Sequence, residues 1–447
     1  MNQIDAFAEF TDELLNFSSL GIRPGLERVS RLLSALGSPE KSFPAIHVLG
    51  TNGKGSTSAT LESILRTSGL KTAMYTSPHL VSLQERLLVN GDGLPLEAWR
   101  RAFADLVRAV EADEYLSQNI PTFFENLTAL CFLIIAREGI DIAILEAGMG
   151  GRYDATSSCL PIATLITPIG MDHMEYLGET IEAIASEKFA AIRAGVPAFY
   201  AGDDAKLTEQ FFATCQEKGA PGTALDVLAS VSEIACDLRG TSFMYSSGDF
   251  EQRYRTPLIG THQAKNTARA ITALREIRKS SPLLSKITDD DIARGVSGVA
   301  WPGRFEAIPG WHGAKALVLD GAHNDHGMRA LIDTIQSMIA GGAFSGVSAV
   351  VYAVMKDKDI RAMLGDIRKL GAPLCATTLP MERAMPAREL AEIAAGEGLA
   401  VRGAFDDPQD ALREAAALAD PGRITLCCGS LYFIGHLKHL LLKSNDD

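Results

Sequence analysis

Lys54 is the first residue of this chain whose neighbours suggest chemistry. It lies in Gly50-Thr51-Asn52-Gly53-Lys54-Gly55-Ser56, after the apolar run Ile46 to Leu49 and before a helical pattern from Thr57 to Thr67. Strand, glycine-rich turn and helix are the parts of a phosphate cradle. Glycines let backbone N–H groups face inward, the helix N-terminus favours an anion, and the lysine adds a point charge. The Ser56 hydroxyl suits a magnesium ion on the phosphates. The spacing G-x-x-G-K-G-S is shorter than the common P-loop, and Gly55 separates lysine from serine. An ordinary turn with a solvated lysine is the alternative, and the flanking strand and helix favour nucleotide binding.

Further polar groups follow other buried runs. Ser77 follows Lys71 to Tyr75, Glu146 follows Ile140 to Leu145, and Asp172-His173 follows Ile162 to Ile166. In an open parallel sheet, ligands bind outside the carboxyl ends of the strands, so these groups are expected to face one crevice with the Gly50 loop. Glu146 beside a phosphate loop reads as a magnesium ligand. Lys188 shares a helical stripe with Ile181, Ile184, Ala185 and Ile192. Spacing alone favours a snorkelling lysine with a wet ammonium. The other reading is a desolvated amine of lowered pKa that reacts with carbon dioxide to give a carbamate.

The elements that would position these groups alternate strand and helix, which predicts an α/β fold with a mainly parallel sheet. Leu26 to Leu36, Leu96 to Leu116, Phe123 to Arg137, Glu182 to Arg193 and Ala264 to Ile277 read as helices, and Val196 to Tyr200 as a further strand. Trp301-Pro302-Gly303-Arg304 interrupts the pattern, and a second α/β set follows, with strands at 315–319, 348–354, 373–377 and 424–427. Two domains are expected, residues 1–299 with the phosphate loop and residues 300–447 as a smaller α/β partner.

Composition narrows the function. With 447 residues and a net charge of −13, there is no long basic block, which argues against nucleic acid. Seven scattered cysteines without C-x-x-C fit free thiols in a reducing compartment. No apolar run is long enough to span a bilayer, and Met1 to Leu15 lacks the features of a signal peptide. A cytoplasmic monomer without nucleic-acid or membrane partners is expected. Gly148-Met149-Gly150-Gly151 lacks dinucleotide spacing, and His436 with His439 has no evident partner for zinc.

These pieces resemble the folylpolyglutamate synthase and dihydrofolate synthase family of the Mur ligase superfamily, over nearly the whole chain. The motifs are GTNGKGS at Gly50–Ser56, TSPHL at Thr76–Leu80, TFFE at Thr122–Glu125, LEAGMGGRYDAT at Leu145–Thr156, MDH at Met171–His173, SEK at Ser186–Lys188, WPGRFE at Trp301–Glu306, LDGAHN at Leu319–Asn324 and KDKD at Lys356–Asp359. The resemblance implies an N-terminal P-loop ATPase-like domain joined to a smaller Rossmann-like C-terminal α/β domain, and an ATP-dependent ligase that phosphorylates a carboxylate and lets the amine of L-glutamate attack the acyl phosphate. It implies that Gly50, Thr51, Asn52, Gly53, Lys54, Gly55 and Ser56 cradle ATP, joined by Asn266, Arg304, Asp320 and His323. Ser56, Ser77, Glu146 and His173 would ligate magnesium, more than one ion, and Lys188 would be carbamylated. Lys54, Asp172, His173 and Lys188 form the implied catalytic set. Thr122, Phe124, Arg152, Asp154 and Ala155 resemble the dihydropteroate pocket of bifunctional members, so both dihydropteroate and folates are expected substrates. Helix start and core packing are the competing reading of Thr122 and Phe124. Ser157 stands where the family pattern has asparagine, and the segment after Lys188 lacks the usual glycine. The rivals are a folylpolyglutamate synthase alone, another Mur-type ligase, and a P-loop switch protein. For a peptidoglycan ligase, the roughly 45 residues before the loop are few for an added domain.

Overall fold

The computed structural model describes residues 3–443. The chain divides into two compact units. One comprises Met1–Ser230, Tyr245–Gln252 and Asn266–Val299, and the other Val231–Met244, Arg253–Lys265 and Ala300–Asp447.

The first unit is built on an eight-stranded sheet. Its strands are β1 (Ala45–Leu49), β2 (Thr72–Tyr75), β3 (Leu87–Val89), β4 (Asp92–Gly93), β5 (Ile142–Glu146), β6 (Pro161–Ile166), β7 (Ala198–Tyr200) and β8 (Gly222–Ala224). The order is β4-β3-β2-β5-β1-β6-β7-β8. Pairings from β2 to β8 are parallel, and β3 and β4 add an antiparallel edge. Every residue of β1, β2 and β5 is buried, as expected of strands covered on both faces. The chain passes from β1 to β2 on one side, and later from β5 across β1 to β6 on the other. That reversal opens a crevice at the carboxyl end of β1, where the loops after β1, β5 and β6 meet.

Helices on the faces carry that crevice. The Lys54–Thr67 helix is buried along most of its length, and the Asp289–Ser297 helix packs on it through Gly295. A Cβ at Gly295 would overlap Ile64 Cα and stand 2.8 Å from Ile64 N, both backbone atoms that cannot rotate away. Gly295→Ala is therefore expected to lower stability by about 1–3 kcal/mol, read as a lower urea midpoint at unchanged slope. An unchanged midpoint would show that the two helices part without cost.

The second unit holds a six-stranded sheet of β12 (Glu306–Pro309), β13 (Ala316–Asp320), β14 (Val347–Tyr352), β15 (Leu374–Thr377), β16 (Val401–Phe405) and β17 (Ile424–Cys428). Its order is β12-β13-β17-β14-β15-β16, parallel except at β12. Between β8 and β12 in sequence come β9 (Ser230–Asp237), β10 (Gly240–Ser247) and β11 (Phe250–Thr256), a three-stranded sheet in the order β11-β10-β9. The sequence signals none of these three strands, nor β8, β12 and β16. Their burial alternates or is shallow, so they lack the continuous apolar run by which the core strands were recognised. One expected helix is divided. Leu96–Ala112 ends at Asp113, whose side chain accepts from Leu116 N and caps a separate Glu114–Gln118 helix.

Candidate functional site

The phosphate-loop residues leave β1 in a conformation that only glycine adopts easily. Gly50 has φ +135° and Gly53 φ +87°. A Cβ on Gly50 would collide with Thr167 Oγ1, and one on Gly53 would stand 2.8 Å from Asn266 Oδ1. Asn266, from the Thr261–Ser280 helix, is thus brought to the loop although it lies more than two hundred residues away. The N–H groups of Thr51 and Asn52 donate to the Pro168 carbonyl at 3.0 and 3.3 Å, and Thr51 Oγ1 donates to the Gly170 carbonyl at 3.1 Å. The loop after β1 is therefore laced to the loop after β6. Donors suited to an anion are those of the first turn of the Lys54–Thr67 helix, which have no earlier carbonyl within the helix. The Lys54 ammonium bridges the loop to the Thr51 carbonyl at 3.1 Å.

Lys188 lies beneath this loop. It is 4% exposed, and its ammonium donates to the Gly50 carbonyl at 2.7 Å. The snorkelling that spacing favoured is not found, because the Ile181–Phe189 helix turns this face onto the loop rather than to water. Burial, with the Lys54 charge adding to it, pulls the Lys188 pKa down to about 7, while Asp172 and Asp154 act the other way. A large share of the amine is then neutral near neutral pH.

Glu146 ends β5 at 5% exposure, and Ser77 N donates to its Oε2 at 3.4 Å. Ser56 is buried in the first turn of its helix. His173 follows β6 with φ +50°, an uncommon conformation for a residue other than glycine, and its N–H donates to Asp172 Oδ1 at 3.0 Å. Among the described residues no three His, Cys, Asp or Glu side chains converge as a ready-made metal site. The expected ligand set carries only two such side chains, Glu146 and His173, with the two serine hydroxyls. Three of its four donors are oxygens, the class that magnesium and manganese prefer. The donor set therefore fits an ion held jointly with phosphate oxygens.

The loop after β5 forms the other wall. Asp154 is buried and accepts from Met149 N at 2.8 Å and Thr156 N at 3.0 Å, which folds the loop on itself. Burial raises the Asp154 pKa. Gly148 lies against Phe124, where an added Cβ would stand 2.6 Å from Phe124 Cζ. Ala155 joins the same apolar cluster as Phe124. Thr122 caps the Phe123–Glu138 helix with Glu125 in a reciprocal box, so its helix-start role is real. Arg152 is half exposed and paired with Glu187 at 2.8 Å. Ser157 donates to the Gly151 carbonyl at 2.6 Å, a contact that holds the loop where the family pattern has asparagine.

Arg304, Asp320 and His323 belong to the second unit. Asp320 is buried at the end of β13, accepts from Phe305 N at 2.8 Å and Ala322 N at 2.7 Å, and feels the Arg304 charge. Burial nonetheless raises its pKa. His323 Nδ1 lies 2.8 Å from the Gly321 carbonyl.

Sequence reasoning passed over several supports. Glu85 accepts from the N–H groups of Leu80, Val81 and Ser82 and fixes the loop that carries Ser77. Arg28 pairs with Glu125, and His47 with Thr156. The Ser82-x-x-Glu85 spacing is a capping-box signature and could have been found. His47 and Arg28 had no local signal, since their partners lie about a hundred residues away.

The Mur ligase middle domain matches residues 48–274, and the Mur ligase glutamate ligase domain matches residues 303–431. A dihydrofolate synthase/folylpolyglutamate synthase of Bacillus subtilis is 34% identical over 94% of this chain and 96% of its own. The structure of Escherichia coli FolC in complex with DHPP and ADP superposes with TM-score 0.85 at 29% identity, over 100% of both chains. A bifunctional folylpolyglutamate synthase/dihydrofolate synthase of Yersinia pestis, complexed with AMPPNP and a Mn ion, gives TM-score 0.83 at 28% identity, over 99% of this chain and 98% of the other.

Proposed function

Because the chain belongs to the dihydrofolate synthase/folylpolyglutamate synthase family of Mur ligases, we propose that it joins L-glutamate to dihydropteroate and to the glutamate tail of folates, using ATP. The substrate carboxylate attacks the γ-phosphorus of ATP and ADP leaves. The glutamate amine then attacks the acyl carbon, phosphate departs, and an amide remains. A carboxylate is a poor acyl donor until it carries that leaving group.

In this reading the first turn of the Lys54–Thr67 helix and Lys54 hold the phosphates, with Asn266 beside Gly53. Ser56, Ser77, Glu146 and His173 would hold magnesium, more than one ion, which when bound neutralises phosphate charge. Lys188 is converted to a carbamate: its neutral nitrogen bonds the carbon of carbon dioxide, one C=O π pair moves to oxygen, and the nitrogen proton goes to solvent. Asp172 lies within electrostatic reach of that amine. Arg304, Asp320 and His323 contribute nucleotide contacts from residues 300–447, the glutamate-ligase domain, while residues 1–299 bind ATP. The protein acts as a cytoplasmic monomer. Its seven cysteines, all free thiols, support a reducing compartment. Among the described residues no helix is long and apolar enough to cross a membrane.

The observation that carries the dihydropteroate half is the seating of the Gly148–Ala155 loop against Phe124, next to Glu146 and the phosphate loop. The test is phosphate release from ATP with L-glutamate and either dihydropteroate or tetrahydrofolate. Release with neither removes the ligase reading, and release with tetrahydrofolate alone removes the dihydropteroate half. Arg152→Ala is expected to raise KM for dihydropteroate about tenfold or more, the loss of one charge-assisted hydrogen bond, with KM for ATP unchanged. Equal changes for both substrates would place Arg152 outside acid recognition.

A further inference from the structure

We infer that His47 is a positioning residue for the acid-binding loop, acting through Thr156 on Asp154; this rests on the dihydropteroate reading above. His47 is the single polar member of β1 and is 1% exposed. A buried imidazole in such a strand is costly unless its nitrogens are bonded. Its Nε2 lies 2.8 Å from Thr156 Oγ1, which in turn donates to Asp154 Oδ1 at 2.5 Å. Asp154 also accepts from Met149 N and Thr156 N. The near and far limbs of the Gly148–Thr156 loop thus meet on one carboxylate, and His47 ties that carboxylate to the strand that leads into Gly50.

Proton counting fixes the direction of this chain. The threonine hydroxyl has one proton, and both Asp154 oxygens already act as acceptors, Oδ2 from Met149 N and Oδ1 from Thr156 N. Thr156 therefore donates to Asp154, and His47 must present Nε2–H to the threonine oxygen. Burial, with Arg193 nearby, holds the His47 pKa down at about 3, so the ring is neutral at working pH and its tautomer is set by this contact. An apolar side chain at position 47 would fill the strand but leave Thr156 Oγ1 without its donor. The hydroxyl would then be free to turn, and Asp154 and its neighbours Arg152 and Ala155 would lose their register against Phe124.

The test compares His47→Phe, Thr156→Val, the double variant and His47→Gln with the parent chain. KM and kcat are measured for dihydropteroate and tetrahydrofolate, with KM for ATP. His47→Phe and Thr156→Val are each expected to raise KM for dihydropteroate about tenfold, equal to about 1.4 kcal/mol. kcat, KM for ATP and KM for tetrahydrofolate should stay within about twofold. The double variant should be no worse than either single one, and His47→Gln, which keeps an N–H donor, should recover most of the loss. An unchanged KM for dihydropteroate, or equal losses for all three substrates, would overturn the inference. So would failure of both His47→Phe and Thr156→Val to fold, because the contact would then be structural only. A parent chain inert toward dihydropteroate sinks the underlying reading instead, and that is seen before any variant is made.

Discussion

Lys188→Met is expected to fold at least as stably as the parent chain at pH 6 in carbon-dioxide-free buffer, and to release no glutamate-dependent phosphate. Two opposed terms decide the stability. Lowering a lysine pKa from 10.5 to about 7 means that its charged form is penalised in the fold, at about 1.4 kcal/mol per unit, so on the order of 4–5 kcal/mol. Removing the ammonium leaves the Gly50 carbonyl without that donor, a loss of about 1–3 kcal/mol. The first term is the larger. Its sign with pH follows from the lowered pKa. Below pH 7 the lysine is cationic in both states and the penalty is present in full. Between pH 7 and 10.5 the unfolded chain keeps a proton that the folded chain has lost, so parent stability rises with pH. The advantage of the variant should therefore be greatest at or below pH 6 and fade toward pH 10.5. Urea midpoints at several pH values measure it, and a variant less stable than the parent at pH 6 would show that the ammonium is well solvated or paired in the fold.

The same position carries the largest expected loss of activity, about a thousandfold or more. Lys188→Ala leaves space near Gly50, and added formate or acetate is expected to restore part of the rate, because a short carboxylate replaces the anionic end of a carbamate. Labelled bicarbonate should give a carbamate carbon resonance in the parent chain that is missing from Lys188→Ala. Full activity in Lys188→Ala, or an absent resonance in an active parent, would remove the carbamate.

What the sequence disclosed depended on how local each signal was. β1, β5 and β6 were legible because strands buried on both faces read as mainly apolar runs, and the rule that ligands collect at carboxyl ends then joined Gly50, Glu146 and Asp172 into one crevice. The sheet β9 to β11 was not, since half-exposed strands carry too few apolar residues, although Gly248-Asp249 between β10 and β11 is a usable turn signal. Lys188 shows the limit most clearly. Helical spacing put it on an apolar stripe, but whether that stripe met water or the phosphate loop was decided by tertiary packing. Asn266 and His47 are likewise set by partners far away in sequence, which no periodicity records.

Arg28 is the second place where such a distant contact should have a large effect. Its Nε and Nη2 donate to Glu125 Oε2 and Oε1 at 3.1 and 2.9 Å, and the two side chains are 9% and 7% exposed. Glu125 also accepts from Thr122 N at 2.7 Å, while Thr122 Oγ1 receives Glu125 N at 3.3 Å. One carboxylate thus neutralises a buried guanidinium and starts the helix that presents Thr122 and Phe124. Arg28→Met removes the cation and leaves the carboxylate buried and unpaired, which costs about 3–5 kcal/mol. Glu125→Gln leaves the guanidinium unpaired but keeps an oxygen for the cap, so it should cost a similar amount. In the double variant Arg28→Met with Glu125→Gln neither charge remains and the cap acceptor survives, so most of the loss is expected to return. Additive losses in that cycle would show that packing of the arginine stem, rather than charge, carries the contact. The functional consequence follows the cap. Single variants that still fold should raise KM for dihydropteroate, because Phe124 shifts against Gly148, and the double variant should lower it again. Recovery of stability without recovery of KM would separate the helix start from the acid pocket.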